Sequence, residues 1–74
     1  MMETVTIRDE FIKLGQALKL AGIAESGVDA KEIIAEGSVK VNGAADTRRG
    51  RKLYDGDVVE YGRQSFQISA KKPL

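Results

Sequence analysis

Short stretches of alternating polar and apolar residues lie near both ends of the chain. After the N-terminal one come two stretches in which apolar residues recur at helical intervals. Thr4–Ile7 alternates polar and β-branched residues, which is typical of a short strand. From Phe11 to Ala21 the apolar residues recur at helical intervals, and Asp9 is placed to cap the helix that this spacing predicts. Gly15 falls inside this predicted helix, where a glycine costs about 1 kcal/mol relative to alanine.

A second helix is predicted to begin at Ser26, which stands three residues before Asp29 in the spacing of a capping box. Gly37 is a suitable residue to end it. Its buried face is expected from three apolar residues at helical spacing: Ala30, Ile33 and Ile34. Only a few residues separate the two predicted helices, so we expect them to pack as a pair.

After Gly37 the apolar residues recur at every second position, which indicates strands. Val39–Val41 is followed by Asn42-Gly43, a pair that favours a two-residue hairpin turn with positive φ at both positions. Further strands are predicted around Leu53-Tyr54, Val58–Tyr61 and Ser65–Ser69, and residues 70–74 are expected to form a frayed tail. The predicted core comprises Phe11, Leu14, Leu18, Ile33, Ile34, Val39, Val41, Leu53, Val58, Phe66 and Ile68. The expected class is α+β, with two N-terminal helices packed on a small, mostly antiparallel sheet and a short N-terminal strand.

Positive charge is concentrated in one segment of a chain whose net charge is only +1. We call Arg48–Lys52 the basic segment; its cations are Arg48, Arg49, Arg51 and Lys52. Arginine suits phosphate better than lysine does, because its planar guanidinium offers two parallel donors. Clustered cations beside Gly50 therefore indicate a phosphate-binding surface, although a solvated basic loop is the simpler alternative.

Composition excludes several classes of function. The chain has no Cys and no His, so we expect no disulfide, no metal site, no cofactor and no catalytic centre. Its 74 residues predict a single domain over 1–74. No apolar run is long enough to span a bilayer and no signal peptide is evident, which favours the cytoplasm and no membrane partner. Tyr54 and Tyr61 each lie in or beside a predicted strand, so we expect them to pack in the core, with stacking on bases as the alternative. The four aromatic residues are too few for a stacking platform.

The order of these motifs resembles the S-four RNA-binding domain, also called the alpha-L motif. The resemblance is carried by Leu14-x3-Leu18, by Ser26 with its apolar helix face, by Gly37-Ser-Val-Lys-Val-Asn-Gly43 and by Asp55-Gly-Asp-Val-Val59. It covers residues 13–61, and the size and basic segment most resemble the small, free-standing bacterial YbcJ-like proteins. Many relatives have Arg-Leu-Asp where this chain has Lys13-Leu14-Gly15, and Ser-Arg where it has Ser26-Gly27.

The resemblance implies non-catalytic binding of structured RNA, frequently ribosomal, through phosphate and shape recognition. The arginine missing after Ser26 shifts the expected contacts to the basic segment, assisted by an adjoining face. The expected RNA-binding residues are Arg48, Arg49, Arg51, Lys52, Lys13, Lys19 and Lys40. Ribosomal and transfer RNA both remain open as targets, and a monomer is expected. A protein-interaction module that docks on a ribosome-associated or other cytoplasmic factor through the acidic Glu25–Glu36 helix face is the alternative.

Overall fold

A computed structural model describes residues 2–70 of the chain, which form two sheets and two helices. The elements in chain order are β1 (Glu3–Ile7), β2 (Phe11–Lys13), α1 (Leu14–Leu20), α2 (Gly27–Ala35), β3 (Val39–Val41), β4 (Ala44–Ala45), β5 (Lys52–Tyr54), β6 (Val58–Tyr61) and β7 (Gln64–Ala70). The predicted tail lies outside the described residues except for Ala70, which is the last residue of β7. None of the helices between residues 2 and 70 is long and apolar enough to cross a membrane.

The larger sheet has five strands in the order β1-β7-β6-β3-β4, and it is antiparallel except for the parallel pairing of β1 with β7. The two remaining strands, β2 and β5, form a separate antiparallel ribbon. The expected architecture of two helices and a mostly antiparallel sheet is therefore confirmed. The ribbon was not predicted as a pairing.

The first helix is shorter than predicted, because its expected first turn is the strand β2. Phe11–Lys13 pairs with β5, and the helix begins at Leu14 after an extended Lys13. Asp9 therefore does not cap it, and Lys13, the residue at the cap position, makes no side-chain hydrogen bond to it. Pairing with the distant strand β5 outweighs the local helical periodicity, because it gives hydrogen-bond partners to backbone N–H groups that would be unpaired in the first turn of a helix.

The second helix and the hairpin agree with the prediction. Ser26 caps α2, where its Oγ accepts a hydrogen bond of 3.1 Å from the Asp29 N–H. The Asp29 carboxylate reaches back one residue further than in a standard capping box and accepts from the N–H of Glu25. Asn42 and Gly43 have φ of 51° and 87°, so the two-residue hairpin turn between β3 and β4 is confirmed.

The core lies between the helices and the inner face of the larger sheet. Nine of the eleven predicted core residues are buried: Leu14, Leu18, Ile33, Ile34, Val39, Val41, Leu53, Phe66 and Ile68. Two core predictions are wrong by one position. Val59 and Ile12 are buried, whereas Val58 and Phe11 are only half-buried. An apolar residue stands beside each of these positions, so the alternating pattern alone does not select the buried one.

Candidate nucleic-acid interface

A buried carboxylate organises the basic segment. Asp46 is 6% exposed, and it directly follows β4, where its N–H donates to the Val39 carbonyl of β3. Its Oδ1 accepts from the backbone N–H and the Nε of Arg48, and its Oδ2 accepts from Arg48 Nη2 at 2.8 Å and Arg51 Nη1 at 2.7 Å. One acidic side chain thus binds two of the three arginines of the basic segment and the backbone N–H of Arg48.

These interactions keep Asp46 ionised. The hydrogen bonds from the Arg48 side chain, with a further one from Arg51, hold the pKa of Asp46 well below its usual range, although burial acts in the opposite direction. The hydrogen bond to Asp46 in turn raises the pKa of the Arg48 guanidinium. The Arg48 side chain is nevertheless 72% exposed, whereas that of Arg51 is 29% exposed. Arg51 is therefore largely a structural partner of Asp46, while Arg48 also reaches the surface.

Main-chain carbonyls of the basic segment satisfy the start of α1. The Leu14 N–H donates to the Arg51 carbonyl at 2.8 Å, and the Gly15 N–H donates to the Arg49 carbonyl at 3.1 Å. Two of the backbone N–H groups that have no partner within the helix at its N-terminus are thereby hydrogen-bonded. The basic segment and α1 consequently form one unit, and the segment is not a loose surface loop.

Gly15 is the point where the Arg49 side chain crosses α1. A Cβ atom built on Gly15 would lie 2.9 Å from Arg49 Cγ and 3.6 Å from Arg49 Cδ, so the aliphatic stem of Arg49 rests against the glycine. Gly15 is itself buried. The glycine that looked like a weak point in the middle of a helix instead allows a close approach at its first turn.

The Arg49 side chain takes part in an open cleft of about 310 Å³ between the two helices. Three cations line this cleft, namely Lys13, Lys19 and Arg49, and small residues form most of the remaining wall. The other lining residues are Gly15, Gln16, Gly27, Ala30 and Gly50. No acidic residue belongs to this lining among residues 2–70. Gly27 is the first residue of α2, so the positive end of that helix dipole also borders the cleft.

The structure brings three of the seven predicted site residues together in the cleft, and the other four are not part of its lining. Arg48 and Arg51 do not line the cleft, and both are bound to Asp46. Lys52 lies in β5 directly opposite Lys13, with its Nζ 4.8 Å from the centroid of the Phe11 ring. Lys40 lies on the larger sheet, where its cross-strand neighbour in β6 is Glu60, and it does not line the cleft.

The sequence pattern does not reveal the residues that shape the cleft. The sequence pattern gives Asp46 no distinct role and marks Gly15 only as a helix-weakening residue. A signal for Asp46 was present, since an aspartate two residues before one arginine and five before another can bind both if the chain turns. The signal for Gly15 was weaker, because nothing local shows which distant side chain crosses it.

Comparison with known proteins identifies the family. A family model described as the S4 domain matches residues 5–69. The chain belongs to the S4 domain family. This match spans both helices, the basic segment and nearly all of the larger sheet, so every residue of the cleft lies inside the S4 domain.

Relatives of this S4 domain include both free-standing proteins and a ribosomal component. A Bacillus subtilis protein named "Probable ribosome maturation protein RlbA" is 52% identical over 69 residues, covering 92% of this chain and 97% of the relative. The solution structure of YbcJ from Escherichia coli, described as revealing an alfaL motif involved in RNA-binding, matches with a TM-score of 0.73 and 41% identity, covering 95% of this chain and 90% of YbcJ. The 30S ribosomal protein S4e of Thermoplasma acidophilum matches with a TM-score of 0.62 and 25% identity, covering 81% of this chain and 32% of S4e.

Proposed function

We propose that this S4 domain binds folded RNA without catalysing a reaction, and that the cleft between α1 and α2 is the centre of its binding surface. The observation that carries the proposal is the convergence of Lys13, Lys19 and Arg49 on one cleft with no acidic residue in its described lining. Such a cleft attracts phosphates, and its shallow, small-residue wall lets a nucleic-acid backbone approach closely. The family membership and the relationship to YbcJ support RNA as the phosphate source.

The seven candidate cations have different roles in this proposal. Arg49 is the main contact, because its guanidinium can form two parallel hydrogen bonds with a phosphate. Lys13 and Lys19 neutralise neighbouring phosphates along the cleft. Arg48 contacts RNA at the rim, and Arg51 positions the segment through Asp46. Lys52 and Lys40 lie outside the cleft, where they add to the positive field that the RNA approaches.

We further propose that the RNA is ribosomal and that residues 1–74 act as one RNA-binding domain. The support is the name of the Bacillus subtilis relative and the likeness to a protein of the small ribosomal subunit. Folded RNA of this kind is recognised mainly through its backbone and shape, which fits a surface rich in cations and poor in side chains that read base edges. Transfer RNA stays the alternative target, because tyrosine–tRNA ligases are also among the relatives of this chain.

The test is a salt titration of RNA binding with a charge-matched control. Affinity of the protein for a ribosomal RNA hairpin of about 16 base pairs would be measured by fluorescence anisotropy, for the wild type and for Arg49→Ala and Arg63→Ala. Arg63 lies in the turn between β6 and β7 and does not line the cleft, so both variants lose one positive charge but only one loses a cleft cation.

We expect the wild-type affinity to fall with salt at a log–log slope of roughly −3, one unit for each neutralised phosphate. Arg49→Ala should weaken binding about tenfold and reduce the slope by about one, whereas Arg63→Ala should change little. Equal effects of the two variants would contradict the cleft as the binding site. No salt-dependent binding of RNA by the wild type would contradict the function and favour the protein-docking alternative on the α2 face.

A further inference from the structure

The outer face of the β2–β5 ribbon combines two aromatic rings with two lysines. Its cross-strand pairs are Phe11 with Tyr54 and Lys13 with Lys52, while the intervening pair, Ile12 with Leu53, is buried. Because side chains alternate between the faces of a ribbon, both outer pairs share one face. We call this set of four side chains the ribbon face.

The lysine pair of the ribbon face indicates an anionic occupant. Like charges directly opposite each other on neighbouring strands destabilise a sheet. Neither lysine forms an ion pair with a carboxylate in the part of the chain that the structure describes. Lys52 leans over the Phe11 ring at 4.8 Å, which compensates one of the two charges only partly. A phosphate between them would remove the repulsion.

The aromatic pair beside these lysines is positioned to stack on a base. The Phe11 and Tyr54 rings have centroids 5.9 Å apart and planes inclined at 48°. Tyr54 is 44% exposed, contrary to the expectation that it packs in the core. Its backbone is fixed, since the Tyr54 N–H donates to Asp57 Oδ2 at 2.8 Å and its carbonyl accepts from the Asp57 N–H. An exposed ring on a fixed backbone loses little conformational freedom when a base stacks on it.

The position of the ribbon face limits how much RNA it can bind. Lys13 also lines the cleft, so the lysine end of the face continues the proposed RNA surface. Glu10 precedes Phe11 and Asp55 follows Tyr54, and both exposed residues extend past the aromatic end of the ribbon. The aromatic and lysine pairs are two residues apart, roughly 7 Å along a strand. That spacing accommodates one nucleotide, with its phosphate at the lysines and its base at the rings, before carboxylates repel the next phosphate.

We propose that the ribbon face binds a single unpaired nucleotide that flanks the folded RNA in the cleft. This inference rests on the proposed function, and it specifies the ligand further: a helix with an adjoining unpaired base. Stacking of a base on an aromatic ring tolerates any sequence, so the face would select for the junction between paired and unpaired RNA.

The experiment compares two probes: a blunt RNA hairpin and the same hairpin with a short unpaired adenosine overhang at its 3′ or 5′ end. Each is titrated with the wild-type protein, with Tyr54→Leu and with Tyr54→Phe, which keeps the ring. We expect the wild type and Tyr54→Phe to bind one overhang probe at least roughly fivefold more tightly than the blunt probe, as stacking of one base implies. Tyr54→Leu should bind both probes with the blunt-probe affinity.

A second readout does not depend on the variants. With 2-aminopurine as the first unpaired base, its fluorescence should change on binding to the wild type, because stacking on an aromatic ring alters it. An overhang that adds no affinity and shows no fluorescence change would overturn the inference and favour a protein surface as the occupant of the ribbon face. The inference would also be overturned if Tyr54→Leu bound the overhang probe more tightly than the blunt probe, as the wild type does. The proposed function fails separately, if the blunt hairpin shows no salt-dependent binding.

Discussion

Replacing Asp46 with Asn tests whether the basic segment is a positioned structure or a loose cluster of charge. The substitution keeps the size of the side chain and removes the charge that binds Arg48 and Arg51. Asp55→Asn is the matched control. It removes the same charge from an exposed carboxylate that accepts only the Ala70 N–H among the hydrogen bonds of residues 2–70.

The expected loss of stability comes mainly from the Arg51 interaction. A hydrogen bond to a charged group contributes about 1.5–3 kcal/mol, and here the carboxylate is 6% and the guanidinium 29% exposed, so solvent screens the pair only in part. The Arg48 backbone N–H can still bond to the Asn oxygen, and the exposed Arg48 guanidinium contributes little because water screens it. Asp46→Asn should therefore lower the free energy of unfolding by about 2 kcal/mol, or the melting temperature by roughly 10 °C in a domain of this size.

The effect should depend on pH in a defined direction. The pKa of Asp46 is lowered in the folded state, so its contribution is fully present above the unfolded value of about 4 and is lost as the pH falls towards the folded value. Thermal melts of the wild type and Asp46→Asn should differ equally at pH 7 and pH 5, and the difference should narrow below about pH 4. At pH 7 and pH 5 the melting temperature of Asp55→Asn should lie closer to that of the wild type than the melting temperature of Asp46→Asn does.

RNA affinity provides the decisive comparison, because charge and positioning predict opposite results. Asp46→Asn makes the net charge more positive, which by itself strengthens binding to RNA. If Asp46 holds the segment so that Arg49 reaches the cleft, affinity should instead fall several-fold, whereas Asp55→Asn should bind as well as the wild type or better. An Asp46→Asn protein with an unchanged melting temperature and tighter RNA binding would refute the positioning argument.

Three further substitutions test other parts of the structure. Gly15→Ala places a methyl group 2.9 Å from Arg49 Cγ, an atom close to the main chain, so the Arg49 side chain must shift. RNA binding should weaken several-fold, and thermal melts should show stability unchanged or lowered; unchanged affinity would contradict the crossing. Leu18→Ala empties a fully buried position and should cost about 2–5 kcal/mol in denaturant unfolding, so a small change would contradict its place in the core. Gly43→Val forces a β-branched residue to a φ of 87°, so it should lower the free energy of unfolding by at least about 1 kcal/mol. A smaller decrease would contradict the positive φ at this turn.

The removal of all three arginines of the basic segment illustrates how the structure changes a sequence-based expectation. Because exposed loop cations contribute little to stability, the sequence alone predicts that a variant with Arg48, Arg49 and Arg51 all replaced by alanine stays folded. In the structure this variant would leave Asp46 buried and without its two arginine partners, which is destabilising. Arg49→Ala alone is the better probe, since in residues 2–70 that side chain makes no ion pair.

The sequence predicts elements that local chemistry determines and fails where distant segments meet. Ser26 and Asn42-Gly43 specify their cap and turn through their own backbone preferences, and both are observed as expected. Phe11 was misassigned, because the spacing of its apolar neighbours fits a helix while pairing with Tyr54 makes it a strand residue. The three cleft cations were each predicted individually, but their convergence depends on two features that periodicity does not show. A side chain far along the sequence crosses Gly15, and the chain turns so that Arg48 and Arg51 both reach Asp46.

The parallel pairing of β1 with β7 has a consequence for the order in which the molecule assembles. It joins Glu3 to Phe66 and Ile7 to Ala70, so forming it encloses almost the whole described chain in one loop. Such closure carries a large entropic cost and favours late formation. The cleft, by contrast, is built from residues 13–50. We therefore expect β1 to dock last and to detach first, with the cleft between α1 and α2 formed before β1 docks and still formed after it detaches.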